Sequence, residues 1–247
     1  MKQLILSLSF FISLSVFALN ITDAQGLRQG QWRKLYPNGQ PMYEGTFKDD
    51  KPVGEMKRYY EDGKIRSIQQ FIEGTDNFII RNFDQNSGKL VSKGAFRGQL
   101  RDGEWQCFSG DVMIMSEQWQ DGKLSGVTRI FNLNGTLIEE VNWLNDMMVG
   151  VRKRFFDDGK LFIAQEYNSV AALTGEVRMY FDNGVLAAKG TYREGKKDGN
   201  FEFFNPDRTD DFSFIARDGV MPPLRIDERQ RQMLQDFEQQ VEGVSAN

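Results

Sequence analysis

The sequence predicts an all-β fold, an elongated antiparallel meander of about eight stacked β-hairpin repeats of 24 to 25 residues with a C-terminal amphipathic helix. Three observations predict it. Glycines open successive units at Gly30, Gly54, Gly103, Gly126, Gly150, Gly175 and Gly199, mostly 24 or 25 residues apart, with one double gap of 49 where the third unit lacks its glycine. A second glycine follows nine residues later at Gly39, Gly63, Gly135, Gly159 and Gly184. An aromatic then recurs at one place per unit: Phe47, Phe71, Phe96, Trp119, Trp143, Tyr167 and Tyr192.

Between the paired glycines lie five or six residues of alternating polar and apolar character, and a second such run follows, so each unit reads as two strands. The joining segments PNGQ, EDGK, LNGT, DDGK and DNGV put Asn or Asp before Gly, the residues that tolerate the positive φ of a tight hairpin turn. Gly88 and Gly110 take that place in the third and fourth units. A lone hairpin is marginal in water, so each unit has to pair with and pack on its neighbours. At roughly 10 Å per unit, eight units make an array about 75 to 80 Å long. The array is read as residues 25–211, and the eighth unit, from Gly199, loses its turn glycine as a terminating unit would. Residues 212–247 are read as a linker and capping helix: Asp227 stands as a cap before Met233, Leu234, Phe237 and Val241 at helical spacing. That helix is expected to fold over the last sheet edge.

Residues 1–24 read as a secretory signal peptide, with Lys2 ahead of the apolar run Leu4 to Leu19 and small residues at Ala18 and Ala24. Cleavage after Ala24 is preferred and cleavage after Ala18 is the alternative. The run is short and serine-interrupted for a membrane span, which needs about 20 apolar residues. The expected location is therefore exported: periplasm, cell surface or secreted.

Composition narrows function. With no histidine and one cysteine, Cys107, the chain has no Ser-His-Asp or Cys-His machinery, no ordinary zinc site and no intrachain disulfide. A net charge of -4 gives no support to a nucleic-acid partner. Acidic residues at the turns (Asp49, Asp50, Glu61, Asp62, Asp157, Asp158, Asp182) do not converge into a calcium loop, and turn geometry accounts for them. No catalytic residue, metal site or cofactor is expected. An envelope enzyme working through a carboxylate pair is a third-ranked alternative.

The run YEGTFKDDKPVGEMKRYYEDGK, from Tyr43 to Lys64, and its echoes RFFDDGK from Arg154 and MYFDNG from Met179 resemble the MORN-repeat variant family, whose members are often described as YwqK-type toxin–antitoxin antitoxins. The resemblance spans roughly Gly26 to Asn205. It implies stacked hairpins that bind other proteins, with membrane association proposed for ordinary MORN arrays. The leading expectation is an exported, non-catalytic scaffold that binds protein, or a glycan or membrane surface, across one sheet face. Its speculative surface residues are Tyr36, Trp105, Trp119 and Trp143. The alternative keeps the antitoxin label and makes the chain a cytoplasmic protein that sequesters a toxin. The open first strand near Trp32 is a further site, for self-association by strand addition.

Overall fold

Alternation on both sides of each turn glycine gives two half-buried strands per unit, and their unpaired edges recruit the next unit. The computed structural model describes residues 19–242, so the core of the signal segment, residues 2–18, lies outside the described residues. Nineteen strands follow one another in a single antiparallel sheet in meander order. The first units supply β1 (Ile21–Thr22), β2 (Arg28–Leu35), β3 (Pro41–Lys48), β4 (Lys51–Tyr59), β5 (Ile65–Phe71), β6 (Phe78–Phe83) and β7 (Leu90–Arg97). The middle supplies β8 (Leu100–Ser109), β9 (Val112–Gln120), β10 (Lys123–Leu124), β11 (Gly126–Phe131), β12 (Leu137–Leu144) and β13 (Met147–Met148). The last part supplies β14 (Gly150–Phe155), β15 (Leu161–Tyr167), β16 (Leu173–Tyr180), β17 (Leu186–Arg193), β18 (Lys196–Phe203) and β19 (Phe212–Ala216), then the helix α1 (Glu228–Glu242).

The predicted turns are present, but their chemistry differs from the expectation. In the turn Tyr36–Gly39 only the glycine has positive φ (84°), and the Gly39 amide donates to the Tyr36 carbonyl at 2.9 Å. This is a type I turn closed by a left-handed glycine, with a register shift just before it. Asn38 acts through its side chain instead, its Oδ1 accepting from the Gln40 amide at 3.0 Å. Asp62, Asp158 and Asn183 do the same for Lys64, Lys160 and Val185. Turns with two consecutive positive-φ residues lie between units, at Asp49-Asp50, Asp121-Gly122, Asn145-Asp146 and Glu194-Gly195. Successive turns are also tied together: Tyr36 donates to the Tyr59 carbonyl at 2.9 Å and Tyr60 to the Phe83 carbonyl at 2.8 Å.

The sheet reaches further at both ends than residues 25–211. β1 pairs with β2 (Ile21 opposite Gln29, Thr22 opposite Arg28), and β19 pairs with β18 from Phe203–Phe212 to Gly199–Ala216. The helix begins where expected. The Gln230 amide donates to Asp227 Oδ1 at 2.8 Å while the Gln230 side chain accepts from the Asp227 amide, a reciprocal cap. Its position is a correction: α1 lies on the sheet face across β14 to β18 instead of along the last edge. Phe237, fully buried, packs its ring on Phe201 and Phe203 with centroids 6.3 and 5.5 Å apart. Leu234 and Val241 complete a core with Ile163, Val177, Ala188 and Phe214. Burial of apolar surface decides the matter, since the last unit concentrates Phe201, Phe203, Phe212 and Phe214 on that face.

Candidate functional site

The pleat sorts residues onto two faces. Cross-strand pairs put Arg33 opposite Glu44, Arg129 opposite Glu140 and Lys189 opposite Glu202 on one face, where each pair forms an ion pair of about 3 Å. The other face is aromatic. It carries Phe47, Phe71, Phe78, Phe96 and Trp105 in the first half and Tyr192, Phe201 and Phe214 in the last. Phe71, Phe78, Phe96 and Trp105 form a continuous ladder, with successive ring centroids 5.0, 4.9 and 5.1 Å apart. Helix α1 covers the last half of this face. The first half is open among the described residues, and Arg28, Tyr43, Phe47, Pro52, Met56 and Arg58 with Gln69, Phe71 and Phe78 line a groove of about 360 Å³.

Charge is set at the groove by cations resting on rings. The Arg28 guanidinium sits 4.0 Å from the Phe47 ring centroid and is held by Asp50 at 2.7 Å. Arg101 stacks on both Trp105 (4.4 Å) and Trp119 (4.9 Å). Gln69 is 9% exposed, lines the groove, and leaves its Oε1 without a hydrogen-bond partner. Such a group carries a standing desolvation cost until something donates to it.

The four surface residues named from sequence do not form one site. Trp105 is 5% exposed, lying flat against Gly94 with its Nε1 donating to the Ala95 carbonyl at 3.0 Å, so it belongs to the core. Tyr36 is half-buried and serves the turn ladder. Trp119 and Trp143, also half-buried, stand opposite Gly103 and Gly126, and Trp119 donates to Glu117 at 2.9 Å. Arg28, Arg58 and Gln69 are the groove residues that spacing alone did not single out. The signal available was their alternation with Met56 and Phe47, which becomes readable only once the strand register is known. The edge near Trp32 is also partly closed. Asn20 donates its amide to the Gln31 carbonyl at 2.9 Å, and the Trp32 indole donates to the Ile21 carbonyl at 3.1 Å.

Three of the turn carboxylates are shifted toward their ionised form. Hydrogen bonds from Arg28 keep Asp50 below the usual carboxylate range, the Lys64 amide does so for Asp62, and Lys160 does so for Asp158. A general acid would need the opposite shift. On the charged face the Tyr59 hydroxyl and Arg33 lower Glu44 below 4.5, while burial and then Glu44 push Tyr59 up to about 12. A carboxylate depressed in the folded state stabilises above its unfolded pKa and loses that contribution as pH falls through its folded value. Glu44→Gln is therefore expected to weaken stability at pH 7 and to narrow the gap from the parent below about pH 4. Urea unfolding midpoints at pH 7 and pH 3.5 check this; a gap that widens in acid contradicts it. Burial, followed by Glu117, raises the pKa of the half-buried Cys107 thiol, which opposes thiolate chemistry. No group of three His, Cys, Asp or Glu able to hold a metal occurs among the described residues.

The recurrence of turn glycine, aromatic ladder and tied turns is matched by the family model described as MORN repeat variant, at residues 28–49, 52–73 and 173–194. These are MORN-variant repeats. Each matched stretch keeps both glycines and the second-strand aromatic, a spacing that the units opening at Gly126 and Gly150 share. MORN repeats form non-catalytic scaffolds that bind protein or membrane. No curated protein matches the chain. A solved structure titled "Crystal structure of GtfA/B complex" aligns at 12% identity over 78% of this chain and 24% of that one, with a TM-score of 0.18. The chain spans about a quarter of that structure's chain, and a likeness of this grade carries nothing about function.

Proposed function

We propose that the protein is an exported, non-catalytic scaffold that binds a protein partner through the open half of its aromatic face, β2 to β9. One observation carries the binding part. The face that α1 covers over β14 to β18 is left uncovered over β3 to β6, where it presents a groove of rings, cations and a buried unsatisfied Gln69. Interface cores of this make-up, aromatic with arginine, supply most binding energy in protein complexes. The binding test places a photo-reactive benzoylphenylalanine at Phe71 in the groove or at Ile79 on the opposite face. A discrete crosslinked protein from position 71 and none from 79 is the expected result, and equal labelling from both would overturn it.

Export rests on Lys2 and the apolar run behind it. Within that reading, processing after Ala18 is favoured over Ala24, because residues 20–23 pair with β2 and Asp23 accepts from the Leu27 amide and from Gln29 at 2.9 and 2.8 Å. Removing them would open the first strand edge. The check is intact mass after fractionating the source cells. A mass beginning at Leu19 in an exported fraction is expected. A full-length cytoplasmic mass would overturn export and return the antitoxin-like reading to first place.

A further inference from the structure

The array repeats itself at a longer period than one unit. A shift of 96 residues, four units, carries Gly94 onto Gly190 and Trp105 onto Phe201. In both halves the aromatic ring lies against its glycine, and an ion pair stands at matching positions, Arg97–Asp102 and Arg193–Asp198. The same shift maps the residues that hold α1. In the last half, Arg154 bonds the Gln240 side chain, Gln165 Nε2 donates to the Val241 carbonyl at 3.3 Å, and Lys197 pairs with Glu238. Their counterparts are Arg58, Gln69 and Arg101, of the same chemistry at all three positions. Arg58 and Arg101 are exposed where Arg154 and Lys197 are partly covered by the helix. Neither Arg58 nor Gln69 has a side-chain partner among the described residues; Gln69 is nine-tenths buried, its Oε1 is unsatisfied as that of Gln165 is beneath α1, and its Nε2 is the donor left for a helix carbonyl.

We infer that β4 to β9 form a second helix seat, and that its occupant is an acidic amphipathic helix of another protein. This rests on the reading that the open face binds a partner, and names what the partner presents there. Its C-terminal turn would offer a carbonyl to the Gln69 Nε2 donor and a carboxylate to Arg58, with apolar side chains on the half-buried Phe96 and Ile80. Carbonyls at a helix C-terminus are themselves electronegative and favour nearby cations. Charge complementarity selects the acidic class through Arg58, which lines the groove with no carboxylate partner among the described residues, whereas Arg28 is held by Asp50 and Arg101 stands 3.7 Å from Glu117. A second copy of α1 is a poor fit. Its Phe237 needs two rings, and Cys107 stands where Phe203 does in the first seat. The neighbouring positions are polar too: the Asn82–Ser92 hydrogen-bonded pair replaces Met179 and Ala188. The duplicated anchors therefore offer a seat with less apolar area, suited to a reversible visitor that meets Arg58.

The experiment uses the full chain and a labelled synthetic peptide of residues 227–242 carrying Phe237→Ala and Gln240→Glu, with binding read by fluorescence anisotropy. Saturable binding is expected. Arg58→Glu should weaken it by about tenfold, and a peptide with Gln240→Lys should recover the loss. Gln69→Leu should weaken it by roughly fivefold, while Arg154→Glu should leave it unchanged. Circular dichroism confirms each variant is folded, and Arg58→Gln replaces the charge reversal if that variant is not. Three results would overturn the inference: no saturation by about 1 mM, loss with Arg154→Glu but not Arg58→Glu, or equal binding of the unmodified α1 peptide. If crosslinking from Phe71 captures a protein while the peptide fails, the helix seat falls and the binding face stands.

Discussion

Replacing Phe237 with alanine is expected to release α1 from the sheet and to lower the melting temperature by about 10 °C. The ring is fully buried between Phe201 and Phe203, and deletion of such a side chain costs about 3 to 5 kcal/mol. In a chain of this size each kcal/mol corresponds to about 2 to 4 °C. The loss has a ceiling. Once the cavity costs more than helix docking contributes, the helix leaves, and the measured change reports docking. In an array where each repeat touches only its neighbours, that change should stay local. Hydrogen exchange should therefore show lost protection in α1 and in β15 to β18, with β2 to β6 unchanged. Uniform loss along the whole chain, or a melting shift below about 2 °C, would contradict the arrangement.

The second large effect is a contrast between two glycines. A Cβ built at Gly190 would stand 2.2 Å from the Phe201 ring, and one at Gly94 would stand 2.2 Å from the Trp105 ring. The clashes are equal but the room for relief is not. Phe201 is stacked on Phe214 at 5.1 Å and capped by Phe237, so its ring cannot lift. Trp105 has no helix above it. Gly190→Ala is thus expected to cost roughly 3 kcal/mol, at the upper end of ordinary overpacking, and Gly94→Ala about 1 kcal/mol. Urea titration of both variants followed by tryptophan fluorescence measures the difference. Equal costs would mean that the open half is as confined as the covered one.

Much of this was legible in the chain. The unit length, the hairpins and the capped helix follow from Gly30-to-Gly54 spacing, the Asn-Gly and Asp-Gly pairs, and Asp227 ahead of Met233, Leu234 and Phe237. Turn geometry was half legible: Asn38 marks the bend, yet its side-chain acceptor role depends on backbone angles that composition does not specify. Trp105 was misplaced because exposure depends on what stands across the strand pair, and that residue is Gly94, eleven positions away. The helix's seat was hidden for a similar reason. Periodicity names the apolar side of α1 but not the surface that receives it, and only the docked helix gives the spacing between Arg58 and Arg154 a meaning.

The uneven coverage of the sheet also makes the molecule mechanically uneven. Tension applied between its two termini would load the inter-strand hydrogen bonds one ladder at a time, as a zipper opens, because they lie across the strands. Ahead of β14 the ties between non-adjacent strands are single turn-to-turn bonds such as Tyr36 to Tyr59 and Tyr60 to Phe83, which yield one unit at a time; at β14 Arg154 meets Gln240. Beyond that point α1 acts as a rivet through Phe237, joining strands that are not neighbours, and several ladders must yield together. The protein is thus an extensible strap with a stiff anchor at its C-terminal end.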